Sequence, residues 1–146
     1  MIDDEMGQRT PVTPWVTLWS SILESHAAMS QARHDASLAL QRAGYRRQMI
    51  EDVALIITEL TVNAFTHGAT REVAIEIGQA ATGESLVITT AHDEGVARFG
   101  VEDPPVMALP HEWVGRGRAI VAALSSRFET TQHPPRRVEH VVVIHA

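Results

Sequence analysis

The chain has 146 residues, enough for one domain with a sizeable core. Its hydrophobic content of 45% and charged content of 21% are typical of a folded globular protein. The net charge of -6 gives no reason to expect a nucleic-acid or anionic-membrane partner. Cysteine is absent, which excludes disulfides and thiolate catalysis. Because the N-terminus is acidic and no apolar run approaches about 20 residues, the sequence predicts a cytoplasmic protein.

The predicted elements begin after a polar tail, residues 1–13, and we expect residues 14–146 to form one domain. Large apolar and small polar residues alternate over 15–20, which predicts a short half-buried strand. Helix-forming residues over 27–43 predict a first helix, and Gly44 provides a left-handed stop at its end.

A second helix is predicted over 47–66, because apolar residues recur there at steps of three and four. Two strands over 71–78 and 85–91 follow, joined by a hairpin turn. Residues 93–114 contain three prolines and no periodic pattern, so we expect a loop. Residues 115–126 then suggest a glycine turn that leads into a third helix.

The chain ends in two alternating segments, 127–132 and 138–146, that predict a terminal hairpin. Strands and helices do not alternate along the chain, so a doubly wound dinucleotide-binding fold is disfavoured. The order of elements fits helices on one face of a mixed sheet better.

The second helix carries the first group of residues that suggests chemistry, ELTVNAFTHG at 59–68. Glu59, Asn63 and His67 are spaced by four, so they form one polar stripe at the edge of the apolar face. A carboxylate can orient or deprotonate a nucleophile, and an amide oxygen suits magnesium. By spacing alone, the simpler interpretation is a boundary stripe on an amphipathic helix, with His67 as a polar C-cap.

A second group, AHDEG at 91–95, follows directly after an apolar strand. A carboxylate at a strand end, here Asp93, can accept a hydrogen bond from the exocyclic amine of adenine. Gly95 would let the ring approach the backbone. The sequence Asp-Glu-Gly is also a common turn, and by itself it indicates no more than that.

A third group, VGRGRAIV at 114–121, opens the third predicted helix. Gly115 and Gly117 allow a turn at its start, where free backbone N–H groups and the helix dipole favour phosphate. Arg116 and Arg118 add positive charge close by. The alternative interpretation is an ordinary loop-to-helix turn with solvated arginines.

Taken in this order, the three groups resemble the N box and the two glycine boxes of the Bergerat-fold ATP-binding domains of gyrases, histidine kinases and heat-shock chaperones. The helical pattern E-L-x-x-N-A-x-x-H-G is similar to that of the small anti-sigma-factor kinases of bacteria. The resemblance covers roughly residues 26–145. It implies an α+β two-layer sandwich, with a mixed, mostly antiparallel sheet and three helices packed on one face.

The resemblance also implies ATP and Mg²⁺ as cofactors. It makes Glu59 the catalytic base or water-positioning residue and Asn63 the ligand of Mg²⁺. Asp93 would read adenine, and the glycine turn would wrap the phosphates. The residues that would contact the nucleotide are Asn63, Asp93, Gly95, Gly115, Arg116 and Gly117.

The implied activity is that of a serine/threonine-protein kinase that binds a sigma factor and phosphorylates an antagonist protein, and the resemblance leaves a homodimer open. Two features depart from the family pattern: Ala97 replaces the second glycine of the first glycine box, and residues 96–114 form an unusual ATP lid. An alternative is therefore a non-catalytic regulatory binding module with weak or no nucleotide binding. A detached catalytic half of a histidine autokinase is a third interpretation. Because the eight histidines include no pair at metal-helix spacing, we expect no structural zinc site.

Overall fold

The computed structural model of the chain describes residues 15–67, 70–93 and 111–145, with His67 and residues 111–116 described by their backbone alone. The predicted tail, residues 1–13, lies outside the described residues. The described elements in chain order are β1 (Trp15–Leu23), a 3-10 helix (His26–Ala28), α1 (Met29–Arg42), α2 (Arg47–His67), β2 (Val73–Ala80), β3 (Ser85–Asp93), α3 (His111–Leu124), β4 (Arg127–His133) and β5 (Arg137–His145).

The five strands form one sheet in the order β1-β2-β3-β5-β4. All four pairings between these strands are antiparallel. The predicted α+β fold class is confirmed, with three helices beside the sheet. A mixed sheet was expected, but the described strands include no parallel pair. The chain between β3 and β5 contains α3, and these two strands nevertheless pair antiparallel.

Alternating burial along β3 and β5 shows that only one face of the sheet is covered. The side chains that β3 turns toward the helices are those of Leu86, Ile88, Thr90 and His92. Those that β5 turns the same way are Val138, His140, Val142 and Ile144. This period of two is the pattern that the sequence displays, and it explains why both strands were predictable.

The three helices lie side by side on the covered face. Helix α1 contacts β1, α2 contacts β2 and β3, and α3 contacts β4, with α2 between the other two helices. Helix α2 buries the centre of its apolar face, through Val53, Ile56, Ile57, Leu60 and Ala64. Burial of each large side chain contributes about 1.5–3 kcal/mol, so this helix is central to the core. None of the helices in the described ranges is long and apolar enough to span a membrane.

The predicted stop of the first helix and the predicted hairpin turn each contain a glycine with positive φ. Gly44 ends α1 with a φ of 91°, and its N–H donates to the Gln41 carbonyl at 3.0 Å. Gly83 has a φ of 80° in the turn between β2 and β3. Both positions are left-handed, where glycine avoids the Cβ penalty that other residues meet.

The predicted start of the third helix is wrong. Helix α3 begins at His111, so Gly115 and Gly117 lie inside it and not in a turn before it. Glycine inside a helix costs about 1 kcal/mol relative to alanine. Helix α3 tolerates this cost because it packs against α2 at Gly117, as described below.

Candidate active site

One end of the sheet places polar residues from several elements beneath α2 and α3. At this end Ala74 of β2 pairs with Ala91 of β3, and Asp93 pairs with Arg137 of β5. The C-terminal half of α2 is at the same end, because a short connection joins its last residue to β2. The sheet and α2 therefore bring together polar groups that are far apart in the sequence.

Glu59 and Asn63 lie one turn apart on α2 and turn toward α3. A Cβ added to Gly117 would lie 2.7 Å from the Glu59 Oε1 atom and 3.4 Å from the Asn63 Nδ2 atom. Both side chains are half-buried. The missing side chain of Gly117 is therefore what leaves room for the Glu59 carboxylate between the two helices.

The chemistry of this pair fits a magnesium-bound triphosphate. Magnesium prefers oxygen ligands, keeps several waters and binds through one or two protein groups plus phosphates. The Asn63 amide offers one neutral oxygen, and Glu59 offers a carboxylate one turn away. In the part of the chain that the structure describes, no group of three or more His, Asp or Glu residues could hold a metal ion. Magnesium held at Asn63 could take further ligands from phosphate and water.

A buried polar layer lies on the sheet at the same end. Thr90 and His140 are cross-strand partners, and the Thr90 Oγ1 atom is buried without a hydrogen-bond partner among the described residues. The rings of His92 and His140 are 6.1 Å apart. His140 Nδ1 is hydrogen-bonded to the Thr130 hydroxyl at 2.9 Å. A buried hydroxyl without a partner is costly, which makes Thr90 a candidate for contact with a ligand or water.

The environment of His140 keeps its ring neutral. The pKa of His140 is lowered to about 4; burial is the largest cause, and the neighbouring His92 and Arg118 act in the same direction. Desolvation and nearby positive charge both disfavour the imidazolium. At neutral pH the His140 side chain is therefore a hydrogen-bonding group without charge.

Sequence reasoning missed this layer. The only signal was that polar residues stand at alternate positions whose side chains face the core, namely Thr90 and His92 in β3 and His140 in β5. Their proximity depends on the register between β3 and β5, which are separated by more than 40 residues. A local pattern does not reveal such a register.

Arg118 turns away from the Glu59 stripe. Its guanidinium lies over the Phe128 ring, 5.1 Å from the centroid, and its Nη2 atom donates to Thr130 Oγ1 at 3.4 Å. The side chain of Arg116 lies outside the described residues. Of the two arginines that flank the glycines, Arg118 anchors α3 to β4, at the edge of the sheet.

Asp93, the residue predicted to read adenine, is the last residue of β3. Its Oδ1 atom accepts from Arg137 Nη1 at 3.4 Å, and 63% of the Asp93 side chain is exposed. The structure thus brings Glu59, Asn63 and Gly117 together, whereas no described contact joins Asp93 to them. Gly95, its predicted neighbour, lies outside the described residues.

Comparison with known proteins agrees with this architecture. The family model of the histidine kinase-like ATPase domain matches residues 23–143. No curated protein matches the sequence. Among solved structures, a chain of the SiaB–SiaC complex from Pseudomonas aeruginosa is similar, with a TM-score of 0.69 and 15% identity. The match covers 97% of both chains, and at this identity it shows a shared fold.

Proposed function

The chain belongs to the family of histidine kinase-like ATPase domains, and we propose that it is an ATP- and magnesium-dependent serine/threonine-protein kinase of the anti-sigma-factor type. In this proposal it acts in the cytoplasm, binds a sigma factor, and phosphorylates a serine of an antagonist protein. The observation that carries the proposal is the placement of Glu59 and Asn63 side by side against Gly117. A carboxylate and an amide at such a helix–helix cleft suit phosphoryl transfer.

The residues of α2 would divide the chemistry between them. Bound ATP with magnesium would supply the phosphoryl group and the positive charge that offsets its oxygens. Asn63 would hold the metal-bearing phosphates in place through its amide oxygen. Glu59 would accept the proton of the serine hydroxyl as that oxygen attacks the γ-phosphorus of ATP and ADP leaves. Because both side chains are half-buried, they are partly shielded from water.

Further residues would contact the nucleotide, as the family pattern implies. Asp93 would accept from the adenine amine with Gly95 beneath the ring. Its Oδ1 atom accepts from Arg137, and because a carboxylate has a second oxygen, Asp93 can keep this bond while it accepts from adenine. The exposed ion pair with Arg137 contributes about 0–1 kcal/mol, so it would restrain the position of the Asp93 side chain only weakly. In the family pattern, the residues that would contact the phosphates are Gly115, Arg116 and Gly117.

The helical state of α3 decides which backbone groups are free for phosphate. Helix α3 begins at His111, so the N–H groups of Gly115 and Gly117 bond within the helix. The N–H groups of residues 111–113 have no partner inside the helix. In the described conformation, phosphates would therefore meet the first turn of α3, with Arg116 close by in the sequence.

A phosphotransfer assay with two α2 variants tests the proposal. Labelled ATP, magnesium and an antagonist protein should give a labelled serine. Asn63→Ala should weaken magnesium-dependent ATP binding, measured by calorimetry. Glu59→Gln should leave binding largely intact but slow transfer by roughly 10²- to 10⁴-fold, the usual contribution of a general base. Glu84→Gln, which alters an exposed acid in the β2–β3 turn, is the matched control and should behave as wild type.

Two results would argue against the kinase. No labelled serine at saturating ATP would remove the claim of enzyme activity. Equal loss of binding and transfer in the Glu59 and Asn63 variants would indicate that the stripe is structural. The split between binding and transfer is therefore the informative measurement.

A second candidate, a non-catalytic binding module, is favoured by two observations. Ala97 stands where the family pattern has a glycine, and alanine adopts positive φ less readily. The N–H groups of Gly115 and Gly117 are used within α3. A protein partner is common to both candidates, and the similar solved chain is itself part of a SiaB–SiaC complex. Calorimetry separates them: no heat with ATP and magnesium, together with tight binding to a protein partner, favours the module.

A further inference from the structure

Helix α3 contacts two different neighbours through consecutive residues. Gly117 is buried against α2, where an added Cβ would lie 2.7 Å from the Glu59 carboxylate. Arg118, the next residue, is exposed and reaches to β4. Successive residues of an α-helix point about 100° apart, so a single turn of α3 can contact a neighbour on each of two sides. The place of Gly117 beside Glu59 therefore depends on what holds Arg118.

The Arg118 guanidinium makes two contacts with β4. Its Cζ atom lies 5.1 Å from the centroid of the Phe128 ring, which is a cation–π geometry. Its Nη2 atom donates to Thr130 Oγ1 at 3.4 Å. Phe128 and Thr130 are two residues apart on one strand, so their side chains lie on the same face. A planar guanidinium can stack on an aromatic ring and donate hydrogen bonds as well, whereas the ammonium group of a lysine has no such plane.

The contact continues from β4 into the sheet. Thr130 is the cross-strand partner of His140 on β5. Because a guanidinium can only donate, Thr130 Oγ1 accepts from Arg118 and keeps its own hydrogen to donate to His140 Nδ1, at 2.9 Å. Neutral His140 then carries its proton on Nε2. One hydrogen-bonded chain therefore joins α3, β4 and β5, and we call it the α3 tether: Arg118, Thr130 and His140.

The sequence suggested a different role for Arg118, as a positive charge close to bound phosphate. In the structure its guanidinium is directed to Phe128 and Thr130, and no described contact joins it to Glu59 or Asn63. Its contacts are thus those of a residue that holds a helix in place.

We propose that Arg118 is a positioning residue, which acts through the α3 tether to keep Gly117 beside the Glu59 carboxylate. The kinetic part of this inference rests on the proposed function, in which Glu59 is the base. A base must lie within about 2.6–3.2 Å of the group whose proton it takes. A misplacement of about 1 Å can cost roughly 10²-fold in rate. A loosened α3 would therefore slow transfer while the contacts of Asn63 with the nucleotide remain.

Two variants break the α3 tether in different ways. Arg118→Met replaces the guanidinium by an uncharged side chain of similar helix propensity, and Thr130→Val removes the hydroxyl but keeps the guanidinium. Each should lower kcat by up to roughly 10²-fold, for transfer to the antagonist protein that the wild-type chain phosphorylates. The Kd for ATP with magnesium, measured by calorimetry, should stay largely unchanged. Arg127→Met is the matched control, because Arg127 is on the same strand and pairs with Glu129, and it should keep the wild-type kcat.

A stability measurement tests the positioning without enzyme activity. Urea unfolding of the wild-type chain, Glu59→Ala, Gly117→Ala and the double variant gives the coupling between positions 59 and 117. While α3 is held, an added Cβ forces the carboxylate to move. Once the α3 tether is broken, the helix can move instead. The coupling should therefore be lost in a Thr130→Val background and kept in an Arg127→Met background.

Several results would overturn the inference. Unchanged kcat in Arg118→Met and Thr130→Val, or an equal loss in Arg127→Met, would show that the α3 tether does not position the site. Weaker ATP binding in Arg118→Met alone would show that Arg118 contacts the phosphates directly. A coupling that persists in the Thr130→Val background would show that α3 keeps its place without the tether. Absence of transfer by the wild-type chain to every antagonist would instead remove the proposed function, and the coupling would then decide the positioning of α3 by itself.

Discussion

Replacing Gly117 with alanine tests whether α3 approaches α2 as described. The new Cβ would lie 2.7 Å from Glu59 Oε1, and real Cβ contacts essentially never fall below 3.0 Å. The Glu59 carboxylate must therefore move by at least 0.3 Å, the difference between these two distances. The Asn63 Nδ2 atom, at 3.4 Å, needs little or no adjustment.

Two opposing terms set the effect on stability. Alanine inside a helix is favoured over glycine by about 1 kcal/mol. Forcing the Glu59 side chain off its rotamer costs about 0.5–1.5 kcal/mol. In the wild-type background the two nearly cancel, so Gly117→Ala should change the free energy of unfolding little. In a Glu59→Ala background the carboxylate is gone, and the same substitution should stabilise by about 1 kcal/mol.

Urea unfolding of the four proteins, followed by circular dichroism, gives the coupling between the two positions. We expect a coupling of about 0.5–1.5 kcal/mol, the rotamer cost that only the carboxylate incurs. Equal stabilisation by Gly117→Ala in both backgrounds would refute the close approach of α3 to Glu59. If the kinase proposal holds, Gly117→Ala should also slow phosphoryl transfer while the protein remains fully folded.

Two further predictions concern the sheet. The pKa of His140 is lowered from 6.5 to about 4, so the unfolded chain binds more protons than the folded chain between these pH values. The free energy of unfolding should therefore fall by up to about 3 kcal/mol as the pH decreases from 6.5 to 4. Urea titrations at a series of pH values measure this fall, and His140→Gln should make it smaller. Gly78→Ala places a Cβ 2.8 Å from the Trp15 ring and should lower the free energy of unfolding by about 1–3 kcal/mol. Urea unfolding and tryptophan emission measure the effect. Unchanged values of both would contradict the packing of Trp15 on β2.

Most of the fold follows from local periodicity. The period of two in β3 and the steps of three and four in α2 arise because each element buries one face. The boundaries shift by a few residues: β1 extends three residues beyond the predicted end, and β2 begins two residues later than predicted. Strand ends are set by pairing with neighbours, and a single segment does not contain that information.

The candidate site is predictable only in the part that lies on one element. The spacing of Glu59 and Asn63 places them on one helix face, and the structure has them there. The start of α3 was mispredicted, because Gly115 and Gly117 are typical of turns. Whether a glycine ends a helix or lies within it depends on packing against another element, here α2. Thr90 and His140 escaped notice for the same reason, since strand register brings them together.

Gly117 can serve the site in two ways, and one conformation does not allow both. As a helical residue it leaves space for Glu59, and its N–H bonds to the carbonyl four residues earlier in α3. A phosphate contact through that N–H would require α3 to begin near Gly117, which would also change the approach to Glu59. In the described conformation, Gly117 therefore acts through its missing side chain. This is why the alanine variant tests the positioning of Glu59 and not the binding of phosphate.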